Sequence, residues 1–167
     1  SGGKDSVSMV QLFKQCNYNF SIAHCNFNLR GDEAQRDESF VRLLAHTLDV
    51  PFYVTHFDTK SYATANHIST QMAARTLRYN WFEEIRKQNG YQFIAVAQHQ
   101  NDAIETLLLN LTRGTGISGL HGILPKRDFI IRPLLFLSRQ EIEDFVADNN
   151  LDFVEDSSNE TTKYARN

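Results

Sequence analysis

An α/β protein, with a parallel sheet covered by helices on both faces, is the fold class this sequence predicts, and three observations predict it. Short apolar runs rich in β-branched and aromatic residues recur along the chain, residues 93–97 (FIAVA) being the plainest. Between these runs lie stretches of roughly ten or more residues whose apolar side chains fall at helical spacing. The chain also opens on Ser1-Gly2-Gly3-Lys4-Asp5-Ser6, a glycine turn leading into a helix. Strands alternating with helices call for a parallel sheet and right-handed crossovers, with ligands at the carboxyl ends of the strands.

The elements follow in order. Val7, Met9, Val10, Leu12 and Phe13 make an apolar stripe that predicts a first helix running to about Lys14. Residues 19–26 read as a short buried strand, and Phe40, Val41, Leu43, Leu44 and Leu48 mark the core face of the next helix. Residues 51–58 are the next strand. A long polar-to-amphipathic stretch, 61–88, then ends at Asn89-Gly90, a helix stop. After the strand at 93–97, residues 101–111 are helical by pattern, and Gly114, Gly116 and Gly119 break that pattern. Residues 129–131 predict a last main strand ended by Pro133. Ser138-Arg-Gln-Glu141 is a capping box opening a helix with Ile142, Phe145 and Val146 on its apolar face, and the tail 155–167 is polar and loop-like. A turn of the opening kind should follow a strand, and in this fold that strand is central. The expectation is a single domain over 1–167, truncated at its N-terminus with its first strand missing.

Composition narrows the class. A hydrophobic content of 41% with 22% charged and 11% aromatic residues is that of a globular protein, without repeats or low-complexity tracts. No apolar run approaches the roughly 18 residues of a membrane span, and the start has no leader-like pattern, so a cytoplasmic protein with no membrane partner is expected. Cys16 and Cys25 form no C-x-x-C and the six histidines show no ligand spacing, which points away from disulfides and zinc. A net charge of −3 gives no global attraction to nucleic acid.

The opening hexapeptide carries the first chemistry. Adjacent glycines allow close backbone approach, and successive N–H groups entering a helix form an anion-binding concavity. Ser1 and Ser6 add hydroxyl donors and Lys4 a cation, whereas Asp5 fits beside phosphate only if a divalent cation lies between them, which suggests Mg²⁺. The plain alternative is a Gly-Gly turn in which Asp5 or Ser6 caps a helix. Three later clusters stand where strands end. They are His24 to Gly31 (HCNFNLRG), Ala74 to Tyr79 with Arg75 and Arg78 one helical turn apart, and His99 with Asp102 and Glu105 at i, i+3. Each has a structural reading too: a strand-end polar residue, a solvated basic face, and a capping box in D-x-x-E.

Taken together, these blocks resemble the catalytic domain of the tRNA(Ile)-lysidine synthetase family of PP-loop ATP pyrophosphatases, with a Rossmann-like fold. Ser1 to Ser6 matches its SGGxDS loop; His24, Asn26, Leu29, Arg30 and Gly31 match H-x-N-x-x-L-R-G; Arg75, Arg78 and Tyr79 match A-R-x-x-R-Y. His99, Asp102, Glu105 and Thr106 match H-x-x-D-x-x-E-T, followed by Arg113, Gly114, Gly116, Gly119 and Leu120 for R-G-[ST]-G-x-x-G-L. Arg132 to Leu135, Ser138-Arg139, Glu141-Ile142, residues 155–159 and Tyr164, Arg166 and Asn167 continue in order. Gln98 departs from the histidine frequent in the family, and the ordered matches run to Asn167, short of the family's usual C-terminal domains.

The resemblance implies a two-step modification of the wobble cytidine in an isoleucine tRNA, presented by the anticodon loop. ATP adenylates C2 of the base and releases pyrophosphate, and the amine of free L-lysine then displaces AMP to give lysidine. In the roles it implies, Ser1, Gly2, Gly3, Lys4, Asp5 and Ser6 with His24 and Asn26 bind ATP, and Asp5 holds Mg²⁺. Asp102, Glu105, Arg75 and Arg78 bind lysine, and Arg166 joins Asp5, Asp102 and Glu105 in catalysis. A homodimer is a further expectation. Two rival readings are another PP-loop tRNA enzyme such as a thiolase, which the cysteine pattern disfavours, and a nonenzymatic nucleotide-binding module.

Overall fold

The computed structural model describes residues 1–112, 114 and 122–155. The elements run α1 (Lys4–Gln15), β1 (Ile22–Asn26), α2 (Asp32–Thr47), β2 (Phe52–His56), α3 (Thr59–Ala65), α4 (Thr70–Gln88), β3 (Ile94–Ala95), α5 (Gln100–Thr112), β4 (Lys126–Arg127), β5 (Ile130–Ile131) and α6 (Arg139–Asp148). The expected alternation is present, and so are parallel pairings. β1 lies parallel to β2 with Ile22 opposite Phe52 and Asn26 opposite His56, and β3 lies parallel to β5 with Ile94 opposite Ile130. The short β4, which sequence pattern did not suggest, pairs antiparallel with β5 at the edge.

Two apolar clusters build the core, and α1 belongs to both. Val10 packs with Ile22, Val41, Ala45 and Phe52, joining α1 to α2 and the β1–β2 pair. One residue away, Met9 packs with Leu134 and Ile142 and reaches Ala95, joining α1 to α6 and the β3 side. The residue spacing explains the split, because neighbours on a helix point about 100° apart and can serve two faces. Burial alternates along β1, with Ile22, His24 and Asn26 buried and Ala23 and Cys25 half-exposed, as a strand with two distinct faces requires.

The stretch 61–88 resolves into two helices. His67 takes φ 54° and so cannot continue a helix, and Ser69 starts the second by accepting a hydrogen bond from Met72 N at 3.2 Å. Among the described residues the two hydrogen-bonded strand groups do not pair with each other. Between them runs a cleft of about 2810 Å³, lined by the whole of β1 on one side and by residues 94–98 on the other. No helix among the described residues is long and apolar enough to cross a membrane.

Candidate active site

The loop 1–6 is held from both sides by backbone. Gly2 has φ +84° and is buried, and a Cβ there would come within 3.2 Å of Phe40 and Val41 and 3.3 Å of Val154. Its carbonyl accepts from Val154 N at 2.9 Å, pinning the turn under α2. Gly3 differs: with φ −72° and ψ 164° it is the N-terminal cap of α1, and it has no side chain to close that end. The first-turn N–H groups of α1 therefore stay open to a ligand, at the positive end of the helix. Ser1 Oγ and Ser6 Oγ lie 2.8 Å apart beside them.

Asp5 sits in that first turn, facing His99. The buried imidazole places Nε2 3.9 Å from Asp5 Oδ2 and 3.8 Å from Asp102 Oδ2, so one ring nitrogen stands between two carboxylates. Burial raises the Asp5 pKa above the ordinary carboxylate range, His99 works against that rise, and the Asp102 charge adds to it. Asp102 is not the cap of α5. The helix begins at Gln100, and Asp102 Oδ2 accepts the N–H of His99, the capping position, at 2.9 Å. The D-x-x-E alternative read Asp102 as the cap. The true cap lies one turn earlier, and Asp102 supplies the returning half of the box. Glu105, a turn further on, is exposed and lines the same cleft.

The other expected residues divide. Lys4 Nζ donates to Glu143 Oε1 at 3.1 Å and lies 5.3 Å over the Phe153 ring, so it ties α1 to α6. His24 is buried, and burial lowers its pKa below the ordinary imidazole range, so its ring is neutral at pH 7. Its Nδ1, like that of His99, has no hydrogen-bond partner among the described residues. Asn26 is buried with its amide in use, donating to Glu38 Oε2 at 3.2 Å and accepting from Asn28 N at 3.0 Å. Arg75 and Arg78 are exposed on the cleft, over the rings of Tyr79 and Phe27 at 5.0 and 5.2 Å. Arg113 and Arg166 lie outside the described residues. Gln98, the departure from the family pattern, accepts from Arg132 Nε at 2.6 Å.

Glu38 was not anticipated. Besides Asn26 it meets Arg42 at 3.0 Å and His56 Nε2 at 2.7 Å, tying α2 to the ends of β1 and β2. Burial pushes its pKa up, and the hydrogen bonds from Asn26, Arg42 and His56 outweigh that and hold it below the usual range. Only the Glu38–Arg42 spacing was visible beforehand, and i, i+4 pairs are common on any helix.

The assembled site offers an open helix end for an anion, two carboxylates that can meet a cation or an amine, and guanidinium groups across the cleft. Comparison with known proteins gives the family and the fold. A model described as the PP-loop domain matches residues 1–167. Over its full length the chain is 50% identical to a tRNA(Ile)-lysidine synthase of Bacteroides thetaiotaomicron, of which it spans 39%. It is 49% identical to one of Parabacteroides distasonis and 42% to one of Chlorobaculum tepidum, spanning 38% and 52% of those chains. Among solved structures, a U34-tRNA thiolase of Methanococcus maripaludis with its [4Fe-4S] cluster superimposes with a TM-score of 0.76 at 16% identity. That match covers 93% of this chain and 57% of the other, and it is a likeness of fold.

Proposed function

Because this chain belongs to the PP-loop domain family along its whole length, we propose that the protein uses ATP to adenylate C2 of the wobble cytidine of an isoleucine tRNA and then joins lysine there. The products are lysidine, AMP and pyrophosphate. The observation that carries the reading is the convergence of two helix starts on His99: the open end of α1 with Asp5, and the end of α5 with Asp102. A phosphate cradle and an amine-binding carboxylate then lie within one side chain of each other, as a reaction that first expels pyrophosphate and next admits an amine requires. The tRNA(Ile)-lysidine synthases at 49–50% identity support the choice of substrates.

The residues divide the work. The N–H groups of the first turn of α1, with Ser1 and Ser6, hold the phosphates of ATP and the departing pyrophosphate. Asp5, whose pKa burial raises first of all, stands in the first turn of α1 beside the open N–H groups and would be the residue to hold a Mg²⁺ ion. Bound there, it would supply neutralisation of charge on the leaving group. Asp102 and Glu105 bind the ammonium of lysine and orient the attacking amine, while Arg166 and one of the α4 arginines meet a carboxylate or phosphate. Neutral His24 and the locked turn at Asn26 shape the adenosine side. Along the cleft β1 and β3 each present an edge that pairs with no strand among the described residues.

A thiolase shares the adenylation step but needs reactive thiolates. The chain has two cysteines, and burial pushes the Cys25 thiol up to about 11, away from thiolate at neutral pH. The deciding experiment incubates the full-length enzyme with ATP, Mg²⁺, isoleucine tRNA and lysine. AMP, pyrophosphate and a lysine-bearing cytidine are the expected products. ADP and phosphate would return the loop to an ordinary turn.

A further inference from the structure

Arg75 and Arg78 stand one turn apart on α4 and both line the cleft, but their supports differ. Arg75 lies over Tyr79 of its own helix. Arg78 lies over Phe27, in the turn that follows β1, and Phe27 is stacked on Phe57, in the turn that follows β2, with centroids 5.8 Å apart and planes 22° from parallel. That aromatic pair is anchored from behind: Thr59 Oγ1 donates to the Phe27 carbonyl at 2.9 Å, and Phe57 N donates to the Asn26 carbonyl at 2.8 Å. The platform beneath Arg78 is therefore built from the carboxyl ends of two paired strands, where this fold places its ligands.

The guanidinium on that platform is unspent. Among the described residues Arg78 makes no hydrogen bond and no ion pair, whereas Arg36, Arg42, Arg86 and Arg132 all donate to carboxylate, amide or carbonyl oxygens. Arg78 lines the same cleft as Ser1, Gly3 and Ser6 of the loop. A guanidinium resting on an aromatic face keeps its N–H donors in the ring-free directions, which preorganises it for bidentate contact with phosphate.

We propose that Phe27, backed by Phe57, is a positioning residue that holds Arg78, and that Arg78 and not Arg75 is the α4 arginine that meets the phosphates bound at the loop. The inference rests on the ATP reading above. It is tested in the full-length enzyme by tRNA-dependent pyrophosphate release at varied ATP. Phe27→Leu, which keeps apolar bulk and removes the π face, raises KM for ATP about fivefold, or ~1 kcal/mol at 1.4 kcal/mol per tenfold, with kcat within about twofold. Phe27→Tyr restores the wild-type KM. In an Arg78→Ala background Phe27→Leu adds nothing further, while in an Arg75→Ala background its full fivefold effect remains, because only one pair is coupled. Equal effects in both backgrounds, coupling to Arg75, or a fall in melting temperature with unchanged KM overturn the inference. Wild-type enzyme that forms no AMP and pyrophosphate overturns the ATP reading itself, an outcome separate from an active enzyme in which Phe27 and Arg78 prove independent.

Discussion

The start of α1 and the start of α6 are built from similar material to opposite ends. At α6, Ser138 Oγ accepts from Glu141 N while Glu141 Oε2 accepts from Ser138 N at 2.8 Å, so the helix end is closed on itself. At α1 the capping position is Gly3, no side chain closes the turn, and the acidic residue there looks across to His99 instead of back at its own backbone. α3 and α4 follow the closed pattern, with Asp58 and Ser69 as caps. A cap is worth about 1 kcal/mol of stability. Its omission at α1, in a loop pinned by Val154 and Phe40, is what leaves donors available for phosphate.

Substitutions can break this contrast, beginning with the largest effect. Gly3→Ala has room in the fold, since its Cβ would lie 3.8 Å from Ser1 Oγ and 4.0 Å from the Val154 carbonyl. The expected outcome is an unchanged melting temperature with ATP turnover reduced about 100-fold, because the methyl group stands where phosphate must approach. Asp5→Asn is expected to cut turnover about tenfold or more while raising the melting temperature at pH 7. The sign follows from its raised pKa: the folded state holds the proton more tightly than the unfolded state, so this group favours folding at low pH. That contribution is lost as pH rises through the raised value. The gain from Asp5→Asn should accordingly vanish in melts at acid pH.

Gly2→Ala, by contrast with its neighbour, is a stability lesion. Its positive φ and the contacts with Phe40, Val41 and Val154 predict a loss of ~1–2 kcal/mol, read by denaturant unfolding. Smallest is Ser138→Ala, which opens the closed helix: about 1 kcal/mol of stability is lost and the KM for ATP stays at its wild-type value. A change in ATP use from this substitution would mean that the end of α6 belongs to the site.

Much of this architecture can be read from the residues, and the exceptions share a cause. The alternation of strands and helices, the box at Ser138 and the glycine turn are local patterns, and each appears where periodicity and capping chemistry put it. Features that depend on residues far apart in the chain were not visible. Lys4 looks like a phosphate ligand beside two glycines, and nothing local announces the ion pair that its ammonium makes with Glu143 of α6. Asn26 reads as a strand-end polar residue, and its partner Glu38, twelve residues on, is not marked by any local pattern. The break at His67 and the two-residue β4 are likewise set by packing of α3 on α4 and by the β5 edge, not by a strong local signal. At α5 the box pattern points to Asp102 as the cap, but the helix starts one turn earlier, where His99, an uncommon cap, holds that place.

The central claim is that Asp5 and Asp102 serve two consecutive steps at adjoining helix ends, and one substitution separates them. Asp102→Asn retains an oxygen that can accept the His99 N–H and loses the charge at the end of α5, a change of about 0.3–1 kcal/mol in stability. As a ligand for the ammonium of lysine the amide lacks the opposing charge, so lysine use should fall tenfold or more. The measurement is lysine-dependent lysidine formation in the full-length Asp102→Asn enzyme, beside pyrophosphate release and a thermal melt. The account predicts that KM for lysine rises at least about tenfold while adenylated tRNA still forms. Wild-type lysine kinetics, or loss of pyrophosphate release together with lysine use, would contradict it.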